Sequence, residues 1–287
     1  MTAIYKRELK SYFNGVSGYL FCAFILLFAG IYTMAVNLHS GSPNFEYAVA
    51  NIVFIYLLAI PVLTMKSVSE ERKQRTDLLL YSLPVSMTKI ILGKYLAMLT
   101  VLALPIAVMA IYPLILMTYG TVNLAVSYAT LFGFFLLGAT LTALGMFISS
   151  LTENQTLSAI LSVGVILVIY NLGALADFAS LSPNVTLIVI TVSLILLAFL
   201  VKHLTKSLLL AVIFFVVPEL AAFIINGANR LILTGVVPKI MEALSVFDKF
   251  YNFANGIFDI TSVVYFVAVS AVLVFLTVQS MEKRRWS

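Results

Sequence analysis

Few residues in this 287-residue sequence could do chemistry, and their spacing limits what that chemistry could be. Glu70 and Glu71 open the stretch Glu70-Glu71-Arg72-Lys73-Gln74-Arg75, and a histidine closes Phe199 to His203. A glutamate and several histidines converging in an enclosed pocket could activate water for hydrolysis. Only two histidines exist, His39 and His203, expected on opposite membrane faces, with neither an HExxH pattern nor a cysteine pair beside them. The single Cys22 excludes a disulfide framework. No GxxxxGK[ST] loop is present to cradle ATP phosphates, and Gly93-Lys94 alone does not make one. No catalytic residue, metal or cofactor is therefore assigned to the chain, which is not expected to be an enzyme. The other unusual residue is Glu219, following Pro218 in an apolar run. A carboxylate at membrane depth costs roughly 2–4 kcal/mol, so it is expected to face protein or water. With Asn171 it forms a candidate translocation path. The plainer reading is a headgroup contact or a helix-to-helix hydrogen bond for Glu219 and a helix-to-helix hydrogen bond for Asn171.

The elements that must position these groups follow from composition. Hydrophobic residues make up 62% of the chain and charged ones 10%, against roughly 25% charged residues in a soluble domain. An all-α, polytopic transmembrane bundle is expected. A span needs about 20 mainly apolar residues, and eight runs qualify: Val16–Leu38, Ala48–Met65, Leu96–Met117, Leu124–Ile148, Thr156–Leu175, Val185–Val201, Ser207–Ile225 and Ser262–Val278. The chain is read as one transmembrane domain over 1–287, with an interfacial helix at 1–15, a cytoplasmic helix at 67–84 and an outer segment at 226–261. Of the 17 lysines and arginines, 14 fall in segments on one side; only Arg230, Lys239 and Lys249 fall on the other. The positive-inside rule makes both termini cytoplasmic. Anionic lipid headgroups account for the net charge of +5 without nucleic acid.

The longest inner connection, Lys66 to Lys89, carries the densest polar pattern. Ser69 is placed to cap a helix, with Glu70 and Glu71 favoured by the N-terminal dipole. Basic residues follow; Leu78, Leu79, Leu80 and Leu83 then supply an apolar face, Pro84 stops the helix and Ser86 can cap the next. At the N-terminus, Ile4, Tyr5, Leu9, Tyr12 and Phe13 are expected to face lipid, and Lys6, Arg7, Glu8 and Lys10 water. In the outer segment Ile240, Leu244, Phe247 and Tyr251 recur at near-helical spacing, and Phe247, Phe250, Tyr251, Phe253 and Phe258 are expected at interfacial depth. The C-terminus offers Lys283, Arg284 and Arg285 to the inner leaflet and Trp286 as an anchor.

Two resemblances bear on function. The EExxxR and FxxxH patterns look like those of prenyl-protein-processing intramembrane proteases, but the second histidine is missing and the glutamates lie in a basic surface loop. The loop from Ser69 to Ser86, followed by Ile91-Leu92-Gly93-Lys94, resembles the coupling helix of type-two ATP-binding-cassette (ABC) transporter permeases: an acidic pair, basic residues, a threonine, a leucine cluster, Pro-Val-Ser, then Gly-Lys. Gly145 to Gln155 resembles that family's cytoplasmic turn between spans four and five. Phe247 through Trp286 is similar to the branch named for gliding motility and copper-enzyme maturation. Many members have six spans, so Val185–Val201 and Ser207–Ile225 stand as an extra pair.

The resemblance implies a permease subunit, an exporter of the bacterial inner or plasma membrane. It would work with two copies of a separate ABC ATPase, which bind ATP and Mg, and with a second permease, identical or homologous. It implies that Glu70, Glu71, Arg72, Arg75, Thr76, Asp77, Leu78, Leu79, Leu80, Leu83 and Pro84 couple to the ATPase, the leucines by burial and the charges by orientation. An ATP-independent carrier using Glu219 is the alternative.

Overall fold

The computed structural model describes residues 2–76, 85–181, 183–205, 208–228 and 238–285. Among them every regular element is helical. Two compact units result, Met1–Leu167 with Lys249–Ser287, and Val168–Asp248.

The first unit opens with α1 (Thr2–Asn14), which polar residues keep too mixed to span. Next comes α2 (Ser17–Thr33), extended to His39 by a π-helical turn. The second apolar run folds as α3 (Phe45–Ile52) and α4 (Tyr56–Thr64), joined by a 3-10 turn, and passes into the short α5 (Ser69–Lys73). Then follow α6 (Met87–Met109) and α7 (Leu124–Leu151). Asn123 caps α7, its side-chain oxygen accepting from the Val126 amide at 3.3 Å. The apolar run after it folds as α8 (Gln155–Tyr170), begun by Asn154, whose side chain accepts from the Thr156 amide at 2.9 Å.

The second unit holds α9 (Leu172–Leu181), α10 (Pro183–Thr205), α11 (Leu208–Ala228) and a helical stretch at 238–244. From α12 (Val246–Ala254) the chain returns to the first unit and ends in α13 (Ile260–Arg285). Asp259 caps α13, accepting from the Thr261 and Ser262 amides and the Ser262 hydroxyl, and these donors hold its carboxyl below the ordinary range.

Among the described residues five helices are long and apolar enough to cross a membrane: Ser17–His39, Phe45–Lys73, Met87–Leu116, Leu124–Leu151 and Ile260–Arg284. The pair Gln155–Tyr170 and Leu172–Phe178, bent by 44° at Asn171, makes a sixth where it is counted as one span. The two remaining expected spans are helices whose described apolar cores, Asn184–Ile195 and Val212–Ile224, are shorter than a span.

Close packing in the first unit centres on α7. Small residues let neighbouring helices approach. A Cβ at Gly145 would overlap the Thr64 side chain of α4, and one at Gly138 would lie 2.8 Å from the Tyr56 hydroxyl. Tyr56 stacks on Phe134 at 4.3 Å and donates its hydroxyl to the Phe134 carbonyl at 3.1 Å.

Two sequence expectations change here. Phe247, Phe250 and Phe253 are fully buried rather than interfacial, while Ile240, Leu244 and Phe258 are exposed. One face of α12 repeats every three residues, and protein rather than headgroups receives it: Phe250 meets the Phe134 ring edge-on and Phe253 packs over Gly133. Tyr12 likewise faces protein instead of lipid, donating its hydroxyl to the Leu63 carbonyl at 3.1 Å. Burial, reinforced by the Glu8, Glu70 and Glu71 carboxylates, pushes its phenol far above the ordinary value and keeps it a donor.

Candidate functional site

The polar loop meets the helices through a cluster of four charges. Lys94 lies two turns inside α6, buried among apolar side chains, where an unpaired ammonium would be costly. Its ammonium donates to the Ser67 carbonyl at 2.9 Å and forms ion pairs with Glu71 Oε1 at 2.8 Å and Glu8 Oε1 at 3.4 Å. Arg7 completes the group, 2.7 Å from Glu8 Oε1 and 3.2 Å from Glu71 Oε1. The hydrogen bond to Glu8 holds the Arg7 guanidinium above its ordinary value. Two cations and two carboxylates cancel. They join α1, the loop and α6, three segments remote in sequence.

A second joint comes from α7. The Ser149 hydroxyl accepts from the backbone amides of Val68 and Ser69, at 3.3 and 3.1 Å, and lies 3.3 Å from the Met65 carbonyl. Helix starts leave such amides without intrahelical partners. The cap of α5 is thus supplied by a distant helix. Ser69, expected to cap it, is instead its first buried residue, and its hydroxyl donates back to Met65. Ser86 does stand at the start of α6, but through its carbonyl, which accepts from the Lys89 amide at 3.0 Å.

The helix begun at Ser69 ends early. Arg75 adopts φ +56°, the left-handed region that L-residues seldom enter. The Thr76 amide bonds the Glu71 carbonyl at 2.9 Å and the Arg75 amide the Arg72 carbonyl at 3.1 Å, a Schellman ending. Among the nominated coupling residues, Glu71 points into the charge cluster, and Arg72 is buried with its guanidinium 3.6 Å from Met281 Sδ of α13. Glu70 accepts from the Gln74 side chain at 3.3 Å. Arg75 faces solvent, beside exposed Lys73 and Gln74, and Thr76 is half-buried. Asp77, Leu78, Leu79, Leu80, Leu83 and Pro84 lie outside the described residues.

The turn between α7 and α8 is tied to the chain end. Arg284 pairs with Glu153, and the Ser280 hydroxyl donates to the Ser150 carbonyl at 3.4 Å. The pairing holds the Glu153 carboxyl below its ordinary range.

In the second unit Glu219 is half-buried, and Thr191 of α10 donates to its Oε1 at 2.7 Å. Asn171 marks the break before α9, its carbonyl accepting from the Leu175 amide at 2.9 Å. The Asp248 carboxylate covers the start of that helix so closely that a Cβ on Gly173 would lie 2.6 Å from it. Sequence reasoning missed Lys94 and Ser149. The signal for Lys94 was there: a lone lysine inside an apolar run requires a carboxylate. Ser149 had none, being one hydroxyl in a small-residue stretch.

Five described helices, or six with the bent pair, that are long and apolar enough to cross a membrane define a multi-pass membrane protein. The chain matches the family described as ABC-2 family transporter protein over residues 27–281, and it belongs to that family. It is thus an ABC permease subunit, and an ABC ATPase partner is implied by the family. No curated protein and no solved structure matched the chain.

Proposed function

We propose that this permease is driven by its ATPase through the loop at 67–84, and that it exports its cargo. The observation that carries the reading is the four-charge cluster, which holds the root of the loop to α1 and α6 at once. A push on the loop then reaches two helices without first bending a flexible link. In this reading Glu71 and Arg72 are anchors. Exposed Arg75 and Lys73, with Asp77, orient the ATPase by charge, Glu70 and Thr76 support the turn, and Leu78, Leu79, Leu80 and Leu83, up to Pro84, supply the buried contact.

ATP and Mg bind on the separate ATPase, present in two copies opposite two permeases, identical or homologous. Both termini lie in the cytoplasm, the loop faces the same side, and the membrane is a bacterial inner or plasma membrane. Export is inferred from the family resemblance alone. Glu219 and Asn171 are assigned to the translocation path; intact transport in a Glu219→Gln variant would remove Glu219 from it.

Replacing Leu79 and Leu80 together by aspartate tests the coupling. Stimulation of ATP hydrolysis by the permease is expected to vanish while the spans stay folded. Full coupled activity in that double variant would take the loop out of the mechanism.

A further inference from the structure

A groove of about 550 Å³ runs along the first unit between α6 and α13, floored by α7. Its volume falls within the roughly 300–1,000 Å³ of small-molecule sites. The polarity of its wall changes from one end to the other. Thr88, Gln279 and Glu282 stand at one mouth, and from Val278 to Phe266 the wall is almost wholly apolar.

The polar atoms along that apolar stretch are already used. The Tyr95 hydroxyl donates to the Ala139 carbonyl at 3.1 Å, and the Ser270 hydroxyl lies 3.1 Å from that of Thr140. A guest there finds no hydrogen-bonding group in need of a partner, so it must itself be apolar. Val278 to Phe266 is thirteen residues of helix, twelve steps of 1.5 Å or about 18 Å, a little over half of a hydrocarbon core about 30 Å thick. The apolar wall therefore matches the depth of one leaflet.

The polar mouth specifies the other end of the guest. Glu282 is a carboxylate acceptor, while the exposed Thr88 and Gln279 side chains offer donors. Lys89 and Lys283, adjacent to Thr88 and Glu282 in the chain, are exposed. Acceptor and donors together suit a headgroup carrying both an ammonium and a phosphate.

We infer that this groove is a binding site for one zwitterionic aminophospholipid of the phosphatidylethanolamine type. One acyl chain lies along Val278 to Phe266, the ammonium pairs with Glu282, and the phosphate meets Thr88 and Gln279. The inference rests on membrane embedding and on the side assigned above to the lysine-rich end, but on neither the ATPase nor the cargo.

The full chain, with any co-purifying partner, is placed in nanodiscs of equimolar phosphatidylethanolamine, phosphatidylcholine and phosphatidylglycerol. Native mass spectrometry after release reads what stays bound. One phosphatidylethanolamine per chain is expected. Ala271→Trp, which fills the groove from an exposed position, should lose the bound mass; Val267→Trp serves the same purpose if the first variant misfolds. Glu282→Gln should keep a lipid yet lose the preference for phosphatidylethanolamine over phosphatidylcholine, whose quaternary ammonium has no N–H. Retention unchanged by both tryptophan variants would mean an adventitious lipid only and would overturn the proposal, as would no retained lipid. In a Cys22→Ser background, Phe275→Cys chains that cross-link efficiently to one another would show the groove covered by a second copy, which also overturns it.

Discussion

The charge cluster of the first unit and the helix pair α10 and α11 of the second unit solve the same problem in opposite ways. Both place ionisable groups among apolar helices. In the first unit Lys94, Glu71, Glu8 and Arg7 pair with one another across three segments, and Lys94 also takes the Ser67 carbonyl. In the second, Glu219 has one described hydrogen bond, from Thr191 on the neighbouring helix, and Leu220, Phe223 and Ile224 around it are exposed. Charge bound to charge from remote sequence fixes the mutual position of helices. A single hydroxyl contact between adjacent helices fixes far less. The first arrangement suits a part that must transmit force, the second a part whose packing partner is lipid.

The contrast is broken most severely by removing one charge from the buried cluster. Lys94→Met leaves Glu71 with the exposed Arg7 as its one described cation and should cost about 3 kcal/mol, the low end for breaking a buried pair, since Glu71 is 17% exposed. Thermal unfolding in detergent would record it. Adding Glu71→Gln to Lys94→Met should return part of the loss, a coupling that a double-mutant cycle isolates. Next in size is Ser149→Ala, which leaves the Val68 and Ser69 amides without their cap and should cost about 1 kcal/mol. Its effect should concentrate in the loop, seen as faster amide exchange at 68–73 with the spans unchanged.

Glu219→Gln keeps an acceptor for Thr191 and should shift stability by less than about 1 kcal/mol. A loss as large as that of Lys94→Met would erase the distinction between the two regions. The smallest effect belongs to Glu153→Gln, because exposed pairs contribute little. The Arg284 partner lowers the Glu153 carboxyl, so its contribution is present above the ordinary carboxylate range. It is lost as pH falls through the lowered value, and a pH titration of the melting temperature should show the wild-type and Glu153→Gln curves converging there.

The sequence made the helices legible for a simple reason: long apolar runs can cross a bilayer only as structures that satisfy their own backbone. Asn123, Asn154 and Asp259 cap within three residues, a local pattern that the sequence reading passed over, while the local cap it expected from Ser69 is supplied by Ser149. What escaped was the direction in which side chains point. Phe250 and Phe253 read as interfacial aromatics, and the small Gly133 and the Phe134 ring opposite bury them instead. Glu71 and Arg72 read as surface charges because they sit in a polar loop; their partners, Lys94 and Met281, belong to helices that sequence order does not place nearby. Arg75 in the left-handed region has no sequence signature, since glycine is the usual residue there.

The central claim is that the loop anchored by Glu71 and Lys94 delivers the work of a separate ATPase to the spans. The most direct test is to tag the chain in its native host, purify it in mild detergent and measure the stoichiometry and ATP hydrolysis of what accompanies it. Recovery of an ATPase in equal amount, released or uncoupled by Leu79→Asp with Leu80→Asp, is the predicted result. Purified chain that carries an ion-gradient-driven flux alone, with no ATPase recovered across several detergents, would contradict it.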